Sequence, residues 1–217
     1  MKFLFFLLFV IELHAINIIN KPIAFDETRV ALTKAYILEH YNLRVINIEI
    51  IPRIIVVHWT ALNDFNISYH RFSDTKLPQD RAQIQKASSL NVSTHFMIDR
   101  DGTIYQLMPE TRMGRHVIGL NYSAIGIENV GGKDNIDNLT PEQLQANIDL
   151  IEYLHNKHPS ISTLIGHHEY TQCTTSPLWL EHDKNYRTVK YDPGEPFMHK
   201  LRLHFPNLQN CSSKAND

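Results

Sequence analysis

Three side chains of metal-ligating type stand where the backbone leaves them room. His58 closes the apolar run "IIVVH", His167 follows "LIG", where glycine leaves space beside it, and Asp192 sits in "KYDPG". Zinc in a catalytic site takes three protein ligands from His, Asp, Glu or Cys and keeps a fourth position for water, a demand that two histidines and a carboxylate meet. Each residue also has a plain structural explanation. A histidine at a strand end is commonly a hydrogen-bonded structural residue, and Asp before Pro-Gly is a usual turn residue. The turn carries a second charge: residues two apart on an extended segment point to one side, so Lys190 and Asp192 share a face. The residue before proline is pushed toward extended geometry, and Gly194 permits a sharp bend behind it. The pair is either a surface ion pair or half of an active site.

Bringing such residues together requires a sheet. "RIIVVHW" (53–59) is a continuous β-branched run, the pattern of a buried strand. "STHFMIDRDGTIYQLM" (93–108) reads as two strands joined by "DRDG", and "AIGIENV" (124–130) and "STLIGHH" (162–168) as further short strands. "DETRVALTKAYILEHYN" (26–42) predicts a helix, with Val30, Leu32, Ala35, Ile37 and Leu38 at helical spacing after an acidic opening. "TPEQLQANIDLIEYLHNKH" (140–158) predicts another, with a Thr cap, Pro at its first position and a stripe of Leu144, Ile148, Ile151 and Leu154. Strands alternating with helices, plus one hairpin, imply the mixed α/β class: a central mixed β-sheet flanked by helices.

The bulk numbers narrow the function classes. The 217 residues suit one domain with short additions, and 43% apolar with 20% charged residues is an ordinary globular composition. A net charge of −2 offers no basic field for nucleic acid or an anionic membrane. "MKFLFFLLFVIELHA" reads as an export signal, with one basic residue, an apolar run from Phe3 to Ile11 and a small residue at Ala15; the alternative is an apolar N-terminal strand. The run is about half the roughly 20 residues that span a bilayer, so no stable membrane anchor is expected. The two cysteines, Cys173 and Cys211, could pair in an oxidising compartment, but spacing alone does not show it, and neither fits a CxxC pattern.

Five blocks in order, "VVHWTA", "VSTHFMIDRDGTIYQLMPE", "GRHVIGLNYSAIGIENVGG", "LIGHHEY" and "KYDPGEPF", resemble the N-acetylmuramoyl-L-alanine amidase family, which includes anhydro-muropeptide amidases, phage lysozyme-like amidases and peptidoglycan recognition proteins. The similarity runs from about 52 to 203. It implies a zinc groove on one side of the sheet, with His58, His167 and Asp192 as zinc ligands and His168 as a rival to His167. It further implies Glu128, of the "GIE" strand, as the acid–base residue and Lys190 as the stabiliser of the oxyanion. A glutamate ending an apolar strand is costly to bury unless a polar site lies beside it, which favours the same role. His95, Arg115, His116 and Asn121 fall where relatives line the substrate cleft. Around His116 the match is incomplete: relatives have an aromatic residue and then His-Ala-Gly, whereas Arg115 precedes and Val117-Ile118 follow here. The catalytic tyrosine of phage members aligns near Thr94, which cannot do that acid–base work.

The residue patterns read as a signal segment at 1–15, a helical extension at 16–51 and a tail at 206–217, and the resemblance implies a zinc amidase domain at 52–205. The implied activity is Zn²⁺-dependent hydrolysis of the amide between the lactyl group of N-acetylmuramic acid and L-alanine, on peptidoglycan or muropeptides outside the cytoplasm. The competing readings are a peptidoglycan-binding module without catalysis and a zinc peptidase that cuts the stem peptide. A glycosidase needs a second carboxylate in the cleft, and none has a comparable claim. Oligomeric state is not legible in the sequence.

Overall fold

The computed structural model describes residues 16–78 and 82–211. The expected signal segment at 1–15 and the end of the tail, 212–217, lie outside them. Six strands form one sheet: β1 Ile18–Asn20, β2 Ile54–Trp59, β3 Phe96–Ile98, β4 Ile104–Gln106, β5 Ala124–Asn129 and β6 Thr163–Gly166, in the order β1-β4-β3-β5-β2-β6. The β3–β4 hairpin is antiparallel and the other neighbouring pairs are parallel, so the sheet is mixed, as the strand and helix pattern predicts.

β2 lies inside the sheet and is apolar on both faces, as a strand covered on both sides must be. Ile55 and Val57 face one core with Ile125 and Ile127; Ile54 and Val56 face the other with Ala124 and Ile165. Each of the four β2 side chains is at most 1% exposed, and burying each contributes about 1.5–3 kcal/mol, which fixes the strand and therefore His58 at its end. After α1 (Glu27–Tyr41), α2 (Phe65–Ser73) and the single turn α3 (Ala82–Gln85), the first face is covered by α4 (Pro141–Lys157) through Leu150, Ile151 and Leu154, and by α5 (Glu195–Arg202) through Phe197, Met198 and Leu201. α4 begins where its cap predicts: Thr140 Oγ1 accepts from the Gln143 amide at 3.1 Å, while Gln143 Oε1 accepts from the Thr140 amide at 3.0 Å.

The second face is covered by α1 (Glu27–Tyr41), which presents a different stripe from the expected one. Arg29, Thr33, Tyr36, Ile37, His40 and Tyr41 are buried, whereas Leu38 is 41% exposed and Ala35 is exposed. The helix turns its polar residues inward because each finds partners. The Arg29 guanidinium donates to the carbonyls of Phe72, Ser73 and Asp74 at the end of α2 (Phe65–Ser73). Thr33 Oγ1 donates to the Arg29 carbonyl, and the His40 ring sits between Glu181 Oε2 and the Ala87 carbonyl. Hydrogen-bonded polar groups cost less to bury, so partners as well as hydropathy set this face, although Arg29 Nε and Nη1 are buried without one.

The segment 16–51 is more than a helix. It supplies the edge strand β1 beside β4, and Ile48 and Ile50 enter the core through backbone bonds to Met113 and Thr111. At the other edge, the Leu164 amide donates to the Gln209 carbonyl and the Gln209 amide to the Ser162 carbonyl, and the Cys173–Cys211 disulfide ties the tail to the 3-10 segment His167–Thr175.

Candidate metal and catalytic site

The sheet aligns the candidate residues in one row. In the parallel pairing of β2 with β5, His58 stands opposite Glu128; in that of β2 with β6, Val57 stands opposite Gly166, one residue before His167. Because side chains alternate, His58, Glu128 and His167 project to the α1 face, at the carboxyl ends of β2, β5 and β6. That is where open α/β sheets place their ligand sites. Asp192 arrives from a loop. Its backbone is held against the 3-10 segment by the His168 amide, which donates to the Asp192 carbonyl at 2.9 Å. Beyond it the Asp192–Pro193 peptide is cis, Gly194 (φ +89°) closes the bend with its amide on the Tyr191 carbonyl, and α5 begins. A residue with a side chain is strained at that φ, which accounts for the glycine.

Three donor atoms converge. His58 Nδ1 and His167 Nδ1 are 2.9 Å apart, His167 Nδ1 and Asp192 Oδ2 are 2.9 Å apart, and His58 Nδ1 and Asp192 Oδ2 are 3.3 Å apart. Zinc bonds of about 2.0–2.1 Å to each corner of a tetrahedron set the ligand atoms roughly 3.3–3.4 Å apart, so the observed triangle fits this ion with little adjustment. All three residues are buried. Burial pushes the His167 ring down to about 3, against the pull of Asp192, so the imidazole is neutral and its lone pair available. Burial would raise Asp192, but the charge and hydrogen bond of His167, with the hydrogen bond of His58, hold the carboxyl well below the usual range. Neutral imidazoles and an ionised carboxylate are the forms that bind zinc.

Glu128 and Lys190 line the same groove, a cavity of about 670 Å³ that also takes Tyr36, Trp59 and Tyr186 as walls. Glu128 is 8% exposed, at the rim of the row. Lys190 is half-buried at the groove, and its charge adds to the lowering of the His167 proton affinity.

The residues expected along the cleft separate into two kinds. His116 reaches the site directly: its Nδ1 lies 3.1 Å from His58 Nε2, and burial, then His58 and His95, push it well below the usual histidine value. Arg115 borders the groove, but its guanidinium is spent on the carbonyls of Ile84, Ser88 and Leu90 and on the Tyr186 hydroxyl. Asn121 also borders it, with Oδ1 accepting from the amides of His116 and Val117 at 2.8 Å each and Nδ2 donating to Tyr41. His95 lies behind the groove, fully buried, between the Arg112 carbonyl and the Gly126 amide; burial pushes it down to about 4. Thr94 is fully buried too. His168 turns away from the donor triangle to the Asp192 carbonyl and Glu195. Sequence reasoning missed Tyr36, which reaches the groove wall from α1; the dense aromatic run "AYILEHY" was the available signal.

Fold and site together define a class: a mixed α/β protein with a two-histidine, one-carboxylate pocket at the ends of its parallel strands. The chain belongs to the N-acetylmuramoyl-L-alanine amidase family, whose profile matches residues 47–195. It is 38% identical over 84 residues to the endolysin of Escherichia phage T7, a match covering 37% of this chain and 55% of that protein. The chain thus spans about half the length of the curated relatives it matches. Among solved structures it resembles the endolysin N-acetylmuramoyl-L-alanine amidase LysCS of Clostridium intestinale, at 26% identity and a TM-score of 0.53, over 89% of this chain and 97% of that one. The amidase LysC of the same organism shares the fold at 24% identity and a TM-score of 0.55, over 88% and 99%.

Proposed function

We propose that this chain is a zinc-dependent N-acetylmuramoyl-L-alanine amidase that hydrolyses the amide between the lactyl carbonyl of N-acetylmuramic acid and the nitrogen of L-alanine. The observation that carries the reading is the donor triangle of His58, His167 and Asp192, with Glu128 in the adjacent register position and Lys190 on the same loop as Asp192. Family membership and the amidase relatives support it. His58, His167 and Asp192 would hold the zinc, which when bound would supply Lewis acidity: a water pKa lowered toward 7 and a polarised substrate carbonyl.

The chain's own residues do the rest. Glu128 takes a proton from the attacking water and returns one to the departing L-alanine nitrogen, a contribution of typically about 10²–10⁴-fold. Lys190 faces the carbonyl oxygen and stabilises the negative charge that develops on it, worth about 10²–10³ in rate. Trp59, Tyr36 and Tyr186 give the groove an apolar wall against which a sugar ring or stem peptide can lie. Presence of both Glu128 and Lys190 favours catalysis over binding alone.

Export belongs to the same proposal. The Cys173–Cys211 disulfide suits an oxidising compartment, and peptidoglycan lies outside the cytoplasm. Among the described residues no helix is long and apolar enough to cross a membrane. Mass analysis of a defined muropeptide after digestion tests the reaction: the amidase releases an intact stem peptide beginning at L-alanine, and chelator stops it. A stem peptide cut internally is the mark of a peptidase, and an unchanged muropeptide in zinc-replete protein is the mark of a binding module.

A further inference from the structure

The donor triangle needs a bare nitrogen on His58, and a histidine chooses which nitrogen carries its proton from the partner of the other one. His116 supplies that partner. Its Nε2 lies 3.3 Å from the Ala124 carbonyl, a group that can only accept, so Nε2 carries the proton. In the neutral ring Nδ1 is then bare, and it faces His58 Nε2 at 3.1 Å. His58 Nε2–H therefore donates to it, and His58 Nδ1, on the far side of the ring, presents a lone pair to the triangle.

The surroundings hold His116 to this task. Asn121 Oδ1 takes the backbone amides of His116 and Val117 and fixes the turn that carries the ring. Gly126, in the middle of β5, leaves the ring its space: a Cβ there would stand 2.8 Å from His116 Nδ1 and 2.9 Å from Cγ. The His116 and His58 rings meet edge to face at 83°, which aims the nitrogens at one another rather than stacking the rings.

We infer that His116 is a positioning residue that sets the tautomer of His58, relayed from the Ala124 carbonyl, and that Gly126 exists to admit it. The inference rests on the zinc reading of His58, His167 and Asp192. It differs from the role implied by the family resemblance, in which this histidine contacts substrate.

Long-range ¹H–¹⁵N correlation spectra of the metal-free and zinc-loaded protein read the tautomers directly. The expected pattern is a proton on Nε2 of both His58 and His116, with His116 Nδ1 bare; a proton on His116 Nδ1 overturns the inference. Zinc affinity, measured by competition with a chromophoric chelator, gives the second readout. His116→Ala is expected to weaken zinc binding about 10–100-fold, the usual loss when a metal ligand's supporting partner is removed. His116→Asn, whose side-chain oxygen lies near the position of Nδ1, is expected to recover most of it. Unchanged zinc affinity in His116→Ala, in a chain whose circular dichroism matches the parent, overturns the inference and leaves a substrate contact as the role. If His58→Ala binds zinc as the parent does, the metal reading fails instead, and the His116 tautomer in the metal-free spectrum still decides this one.

Discussion

Asp192 keeps its charge in a buried place because two imidazoles lie within 3.3 Å of its oxygen, and the same convergence suits it to hold a metal ion. Glu128 and Lys190 line the same groove as that cluster but are not among its three converging donors. Glu128→Ala and Lys190→Ala are therefore expected to retain zinc near one equivalent while turnover falls by about 10²–10⁴-fold and 10²–10³-fold. Zinc analysis beside a muropeptide rate assay checks both, and a variant cleaving at the parent rate loses its assigned role. Reactive residue types were legible in the sequence because each sits at a strand end or a Pro-Gly turn. The duties of Arg115, Asn121 and His95 were not. Their partners include the Leu90 carbonyl, the Tyr41 hydroxyl and the Gly126 amide, and no local pattern announces a partner brought close only by folding.

Helix α1 shows the limits of periodicity. Its span was readable from the acidic opening and the apolar spacing, but its inward face was not, since Arg29, Thr33 and His40 are buried on their hydrogen bonds. His40 also gives α1 a pH dependence. Burial disfavours its charge, yet the Glu181 and Ala87 bonds outweigh this and raise its pKa above the usual value. Protons thus bind the folded state more tightly, so the contribution is full below about 6.5 and fades as pH rises through the higher folded value. The destabilisation caused by His40→Gln is expected to shrink between pH 6 and pH 9; a gap that widens over that range contradicts the assignment. The residues facing His40 include Glu181, Tyr36 and Tyr186. In the turn before β5, Asn121→Ala strips the acceptor from two amides and is expected to cost about 1–3 kcal/mol in denaturant unfolding. A purely substrate-facing Asn would leave stability unchanged.

Across the whole molecule, the sheet was legible except at its β1 edge. β2, β5, β6 and the hairpin announce themselves by β-branched runs and turn residues, whereas β1 is three residues long and gains its place only by pairing with β4. The tail is similar: Gln209 bonds back to Ser162, and Cys211 reaches Cys173 across 38 residues. Closing a loop of that size stabilises by typically about 2–4 kcal/mol, so Cys211→Ser is expected to lower the unfolding free energy by that order in chemical denaturation. Equal stability with and without the bond contradicts it. The central claim is that one ion is shared by side chains from β2, the end of β6 and the Asp192 turn. X-ray absorption at the zinc edge tests it most directly. The expected spectrum has two imidazole nitrogens and oxygen at about 2.0–2.2 Å, one zinc per chain, and loss of that shell in Asp192→Ala. A purified, zinc-supplied chain that retains no zinc, or a shell without imidazole, contradicts it.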